Sequence, residues 1–184
     1  MNIVAERIAE HKEVLEATKT LAGAIEKAGI LVRDALAAGH KLLICGNGGS
    51  AADSQHIAAE IVGRFKKERI SLPALALTVD TSILTAVGND YGFETVFSRQ
   101  IEGLGQEGDV LIGISTSGNS RNVVRAVETA KKKGLFVISM TGEGGRLGTM
   151  ADISLAVPSR VTARIQEMHI LMAHIICEIA EENM

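Results

Sequence analysis

A histidine and a glutamate, His56 and Glu60, stand four residues apart just beyond the run Gly46-Asn47-Gly48-Gly49-Ser50. Four residues is one helical turn, so the imidazole and the carboxylate share a helix face. That spacing lets both reach one metal ion, or lets one group orient the other. The plainer alternative is a solvated i,i+4 pair, which contributes roughly 0.2–0.5 kcal/mol. The glycine run adds a second component. Glycine lets a ligand approach the backbone, and the helix start that follows offers free N–H groups to an anion. An anion cradle with acid–base groups one or two turns away suits chemistry on a small phosphorylated molecule.

A second loop points the same way. Ser115-Thr116-Ser117-Gly118-Asn119-Ser120 follows an apolar strand and precedes a helix. One hydroxyl is enough for a helix cap. Four in six residues, with a glycine and helix-start amides, match the several acceptor oxygens of a phosphate. Neither the dinucleotide fingerprint nor the Gly-Lys-Ser/Thr of a nucleotide P-loop is present, so a nucleotide is the weaker reading.

The C-terminal helix carries Gln166 and His174 within one broad stripe of an otherwise apolar surface. Polar groups there must be paired or functional, because a bare buried amide or imidazole is costly. A hydrogen-bonded core histidine is the ordinary explanation for His174 alone. Eight residues of helix rise roughly 12 Å, so both side chains of one chain meet a single ion only if extended toward a midpoint. His11, His40 and His169 have no comparable context. Met140, Met150, Met168 and Met172 read as core or interface filler.

Two kinds of apolar period position these residues. Val4, Ile8, Leu15, Ala22, Ile25, Val32 and Leu36 recur at helical spacing, predicting helix over about 3–38 with a break near Thr18–Thr20. Five short apolar runs follow, Leu42–Cys45, Leu75–Thr78, Val110–Ile114, Phe136–Met140 and Ile153–Val157. Helical stretches alternate with them at about 50–64, 81–87 with 93–103, 119–133, 146–149 and 161–181. Wholly apolar runs suit strands buried on both faces, and strand–helix alternation implies a parallel sheet in an α/β fold. Ligands bind beyond the carboxyl ends of such strands. One site built from the turns Gly46–Ser50, Gly88–Asp90 and Ser115–Ser120 is therefore expected. The first helical segment and the long last helix each need a partner for their apolar stripes, and a second copy of the chain supplies one.

Composition excludes several classes. A chain of 184 residues fits one domain with a filled core, and a net charge of −3 gives no basic footprint for nucleic acid. Aromatics are too few for base stacking. Charges in the first twenty residues break any signal-peptide core, and no apolar run approaches the ~20 residues that span a bilayer. Cys45 and Cys177 have neither metal-type nor disulfide-framework spacing, so they read as buried thiols of a cytoplasmic protein.

Five motifs in order give the chain a family likeness: Gly46-Asn47-Gly48-Gly49-Ser50-Ala51-Ala52-Asp53, His56 with Glu60, Gly88-Asn89-Asp90, Ser115 through Ser120, and Arg164-Ile165-Gln166-Glu167-Met168-His169 with His174. Over nearly its whole length the chain resembles the sugar-isomerase (SIS) domain family, in particular its branch acting on heptose phosphates. The resemblance implies a single SIS domain over 1–184, with a helical oligomerisation segment at 1–38 and a core at 39–184. That core would be a flavodoxin-like three-layer sandwich around a five-stranded parallel sheet. It implies an aldose–ketose isomerase that interconverts sedoheptulose 7-phosphate and D-glycero-D-manno-heptose 7-phosphate, the first step toward activated heptose for lipopolysaccharide. It implies a cytoplasmic homotetramer with sites shared between subunits and one Zn2+ per subunit, held by His56, Glu60, Gln166 and His174. Asn47, Gly48, Gly49, Ser50, Glu60, Asn89, Asp90, Ser115, Thr116, Ser117, Ser120 and Gln166 would contact the sugar phosphate, with Glu60 and His174 as the acid–base pair. Relatives on the same scaffold that only bind proteins lack the carboxylate and the distal histidine; this chain has both. Ala163 cannot supply the acid some members carry there, leaving Asp90 as the candidate auxiliary acid. An isomerase for another sugar phosphate and a non-catalytic ligand sensor are the competing readings.

Overall fold

A computed structural model describes residues 2–182. The chain begins with helix α1 (Ile3–Thr18), a single 3-10 turn at Lys19–Leu21, and helix α2 (Ala22–Ala37), so the break falls where the sequence predicts it. The alternating part follows as β1 (Leu42–Cys45), α3 (Gly49–Val62), β2 (Ala74–Ala76), α4 (Thr81–Tyr91), α5 (Ser98–Leu104), β3 (Val110–Ser115) and α6 (Arg121–Lys132). It closes with β4 (Phe136–Thr141), α7 (Leu147–Met150), β5 (Ile153–Ala156) and α8 (Thr162–Ala180).

All five strands pair in parallel, in the order β2-β1-β3-β4-β5. The period of two along each strand divides the apolar side chains between two layers. Leu42 and Ile44 of β1, with Val110, Ile112 and Ile138, face α2, α3 and α8. Leu43, Cys45, Leu111 and Val137 face the opposite layer of α4, α5, α6 and α7. Burial on both sides explains why the central strands carry no polar alternation. Each such side chain contributes roughly 1.5–3 kcal/mol on burial. Helices α2 and α8 approach closely at Gly29, where a Cβ would lie 2.7 Å from Cβ of Ile179.

Two expectations need correction. The edge strand covers Ala74–Ala76 rather than Leu75–Thr78: the N–H of Leu77 still donates to Ile44 O at 2.8 Å, but the Thr78 hydroxyl turns back to Ala51 O at 3.4 Å. Gly88–Asp90 is not a turn after a strand but the last stretch of α4. Asp80 caps that helix by accepting the Ile83 N–H at 2.8 Å, and Gly92, at φ +89°, ends it. A helical glycine costs only about 1 kcal/mol against alanine, so Gly88 does not stop the helix; the left-handed glycine four residues later does. Among the described residues no helix is long and apolar enough to cross a membrane.

Candidate active site

The sheet reverses direction between β1 and β3: the chain leaves β1 for β2 on one side, and β3 for β4 and β5 on the other. The crevice beyond that switch point is where a doubly wound sheet holds its ligand. Two turns flank it. After β1, Gly46 is pressed against the first turn of α3, so that a Cβ would lie 2.7 Å from Ser50 O. After β3, Gly118 takes φ +65° and lets the 144–145 backbone come within 2.8 Å of where its Cβ would be. The hydroxyls of the serine loop converge. Ser115 Oγ lies 2.8 Å from Ser120 Oγ and 3.3 Å from Ser117 Oγ, and the Asn119 N–H donates to Ser117 Oγ at 3.2 Å. Thr116 turns its carbonyl back to accept the Gly142 N–H at 3.0 Å.

A reciprocal amide pair ties the two turns together. Asn47 Nδ2 donates to Asn122 Oδ1 at 2.9 Å, and Asn122 Nδ2 donates to Asn47 Oδ1 at 2.8 Å. Asn47, Ser120, Arg121 and Asn122 line a hollow of about 450 Å³ with Gly92, Phe93 and Glu94. On the other side, Gln166 of α8 packs its amide where Gly49 has no side chain, with Nε2 2.5 Å from the place a Cβ would occupy. Gly48, Gly49 and Ser50 thus open the helix between Asn122 and Gln166.

The acid–base residues lie further along the same helix. His56 Nε2 is 3.0 Å from Glu60 Oε1 and 3.2 Å from His174 Nε2. One ligand atom from each of these residues falls within 4.8 Å of the other two. Nitrogens bound at 2.0–2.1 Å to a tetrahedral zinc are roughly 3.3 Å apart. The spacing, and the converging lone pairs of two imidazoles and a carboxylate, therefore fit a metal ion. His56 is 45% exposed at its side chain, which leaves the group open on one side. One turn earlier, burial pushes the Asp53 carboxyl upward while the charge of His56 pulls it back, and among the described residues its Oδ2 has no hydrogen-bond partner.

Behind the group, the segment after α3 is latched to the end of α8. Glu181 accepts the consecutive N–H groups of Phe65, Lys66 and Lys67 at 3.2, 2.7 and 2.9 Å. Arg69, buried with Glu181, approaches its Oε2 at 3.5 Å and donates from Nη2 to the carbonyl of Glu60 at 3.0 Å. Burial pushes the Glu181 carboxyl up, but the three N–H donors and Arg69 outweigh it and hold it below the ordinary carboxylate range. The latched segment lays the Phe65 ring against the His174 imidazole, with centroids 5.3 Å apart and planes inclined by 25°.

Within one chain the expected residues fall into two groups. Asn47 and Ser120 line the hollow, with Gly48, Gly49, Ser50, Ser115 and Gln166 in the turns and helix beside it, whereas Thr116 and Ser117 line a separate hollow with Glu143, Ser159 and Arg160; His56, Glu60 and His174 form the second cluster. Helices α3 and α8 run side by side, with Gln166 against Gly49 and His174 against His56. From position 49 to position 56 the rise is roughly 10 Å, so Gln166 meets α3 about two turns before His174 does. Asn89 and Asp90 are exposed and joined to each other, Asn89 Nδ2 donating to Asp90 Oδ1 at 2.8 Å. The neighbouring Gly92, Phe93 and Glu94 line the hollow instead. His169, without context in the sequence, is buried. Its Nε2 lies 3.1 Å from Thr141 O, and burial pushes its pKa down to about 4. Asn122, Phe65 and Glu181 escape sequence reasoning, because an asparagine at a helix start and a phenylalanine in a basic stretch give no local signal.

Comparison with known proteins agrees with this geometry. A family model described as SIS domain matches residues 8–142. The chain belongs to the SIS domain family, whose architecture and crevice these are. It is 58% identical over 180 residues to phosphoheptose isomerase of a Nitratiruptor species, covering 94% of this chain and 96% of that one. It is 54% identical over 184 residues to phosphoheptose isomerase 1 of Campylobacter jejuni, covering 100% and 99%. The structure of a phosphoheptose isomerase from Neisseria gonorrhoeae superposes with TM-score 0.92 at 47% identity, covering 97% of each chain. Within the SIS domain family, the chain stands among the phosphoheptose isomerases.

Proposed function

We propose that this chain is an aldose–ketose isomerase that converts sedoheptulose 7-phosphate to D-glycero-D-manno-heptose 7-phosphate, opening the route to activated heptose. One observation carries the reading: Glu60 and His174 share one open cluster, two to three turns along α3 from the glycine turn at its start, in a chain 58% identical to a phosphoheptose isomerase. An extended seven-carbon sugar has a reach comparable to the rise between the two groups. Ser115, Thr116, Ser117 and Ser120 hold the phosphate, with the first-turn amides of α3 and α6. Asn47, Gly48, Gly49, Ser50 and Gln166 hold the sugar, and Asn89 and Asp90 contact it where α4 ends.

Isomerisation moves one proton between C1 and C2 through an enediol(ate). Glu60 takes the proton from the carbon beside the carbonyl and returns it to the neighbouring carbon. His174 gives a proton to the carbonyl oxygen and takes one from the adjacent hydroxyl, so the protons balance. Anchoring the distant phosphate turns remote binding energy into orientation at the reacting carbons. His56, Glu60 and His174 fit a zinc ion, one per subunit; when bound it supplies Lewis-acid polarisation of the carbonyl or fixes its ligands. Gln166, the fourth expected ligand, faces the sugar end within its own chain.

We read the working molecule as a cytoplasmic homotetramer with sites at subunit boundaries, its 1–38 segment serving assembly and 39–184 forming the core of a single domain. Support comes from Ile3, Val4 and Ile8 of α1, each at least 60% exposed, and from an open apolar groove between α2 and α8. The test is proton-exchange NMR in D2O with sedoheptulose 7-phosphate, with and without zinc. Solvent deuterium entering at the exchanging carbon, together with the aldose product, is expected; a substrate unchanged in both arms ends the proposal.

A further inference from the structure

The His174 imidazole has one neighbour that ordinary acid–base accounts leave out. Phe65 covers one face of the ring, with its side chain packed at the edge of the core and Lys66 Nζ 5.6 Å from its centroid. Its backbone is held as well. Three successive N–H groups, those of Phe65, Lys66 and Lys67, converge on the Glu181 carboxylate just past the end of α8. Successive amides turned toward one point form a concavity that binds an anion, and here the anion is a side chain of the same molecule. Two further side chains brace the loop. Lys66 Nζ donates to Glu178 Oε1 at 2.9 Å, and Arg69 donates to the carbonyls of Glu60, Gly63 and Ile70 at 3.0, 3.3 and 2.9 Å.

The last carbonyls of a helix have no partners within it. Arg69 supplies one for α3, at the residue that carries the proposed base. A buried carboxylate and a buried guanidinium thus connect the C-terminal ends of both helices that build the cluster. Opposing charges fully withdrawn from water contribute little net stability, and removing one partner strands the other. A latch at this place is better explained by what it orients than by what it stabilises.

We propose that Glu181 is a positioning residue for His174, acting through the amides of the 65–67 segment to press Phe65 against the imidazole. The inference rests on the assignment of His174 to the acid–base cluster for its effect on turnover, but its geometric content stands apart from that assignment. With the latch intact, the imidazole is confined between the Phe65 ring on one face and His56, 3.2 Å away, at its edge. With the latch open, Phe65 leaves and the ring gains rotational freedom. An ordered imidazole keeps Nε2 directed at His56, while a free one spends most of its time elsewhere.

The test uses the full-length, metal-free protein labelled with 15N-histidine, in three forms: unaltered, Phe65→Leu and Glu181→Gln. Phe65→Leu keeps the volume apolar and leaves the buried ion pair intact, so it decides the matter if Glu181→Gln does not fold. The expected result is faster motion of the His174 ring in each folded variant, read from 15N relaxation, with His11 and His40 unchanged. A zinc titration is expected to show affinity weakened about tenfold, and turnover of sedoheptulose 7-phosphate to fall about tenfold with KM within twofold. Unchanged His174 ring motion in folded Phe65→Leu overturns the inference, whatever the enzyme does. A loosened His174 in a protein that turns over no sugar phosphate leaves the positioning intact and removes the function instead.

Discussion

The two ends of α3 are built in opposite ways. At its start, the groups around the crevice lie close in sequence to glycines that shape them, and hydroxyls and amides complete one another within a few residues. In its second half, His56 and Glu60 meet His174 across more than a hundred residues, and Phe65 and Glu181 support them from two further segments. The serine loop is built mostly from neighbours in sequence, whereas the cluster is assembled over long range, and both are open to solvent. An anchor needs only enough donors in a rigid turn. Acid–base groups need mutual angles, which only packing between elements supplies.

Four measurements break or sharpen this contrast, beginning with the largest. Glu60→Gln removes the base while leaving the anchor, so turnover should fall by about 10²–10⁴-fold with KM nearly unchanged. Steady-state kinetics decide, and near-normal turnover would make the open cluster a bystander. His169 tests the support behind the anchor, since it is buried at 1% exposure against the carbonyl of Thr141, the residue before Gly142. Its pKa of about 4 lies below the ordinary value of 6.5, so the unfolded chain binds the extra proton first. Stability should therefore fall as pH drops from about 6.5 to about 4, by about 3 kcal/mol in total, and level off below. In urea titrations across that range, His169→Phe should flatten the slope; an unchanged slope would assign the loss to other groups.

Ser120→Ala deletes one hydroxyl from the cradle, and a hydrogen bond to a charged ligand contributes about 1.5–3 kcal/mol. KM should rise roughly 10–100-fold with turnover little altered; the opposite split would place the reacting end of the sugar in the serine loop. Asn122→Ala strands the Asn47 amide and should lower stability by about 1 kcal/mol, seen as a small fall in Tm with no change in the pH profile. No fall would mean that water replaces the pair without loss.

The same contrast explains what the sequence makes legible. The central strands β1, β3 and β4 follow from apolar runs because burial on both faces removes the ambiguity of a half-exposed strand, while the partly exposed edges β2 and β5 follow from short apolar runs at the same spacing. The serine loop is legible for the same local reason. Gly88–Asp90 reads wrongly as a turn, since a glycine followed by Asn-Asp looks like punctuation, and only the φ of Gly92 decides where α4 stops. Placing Gln166 and His174 on one stripe is sound for a helix surface. It does not tell that α3 lies alongside α8 and shares its two ends between different partners. Asn122, Phe65 and Glu181 lie beyond sequence reasoning, because their roles consist of pairings with residues far away in the chain.

The openness of the His56–Glu60–His174 group has a practical consequence. Two imidazoles and one carboxylate contain no soft sulfur ligand, and sites of this kind favour copper over zinc by intrinsic affinity. A side chain as exposed as His56 offers no cage to correct that order. The ion found in a purified sample will therefore record the resin and buffers it has met, and assays should begin from stripped protein reloaded with a single metal.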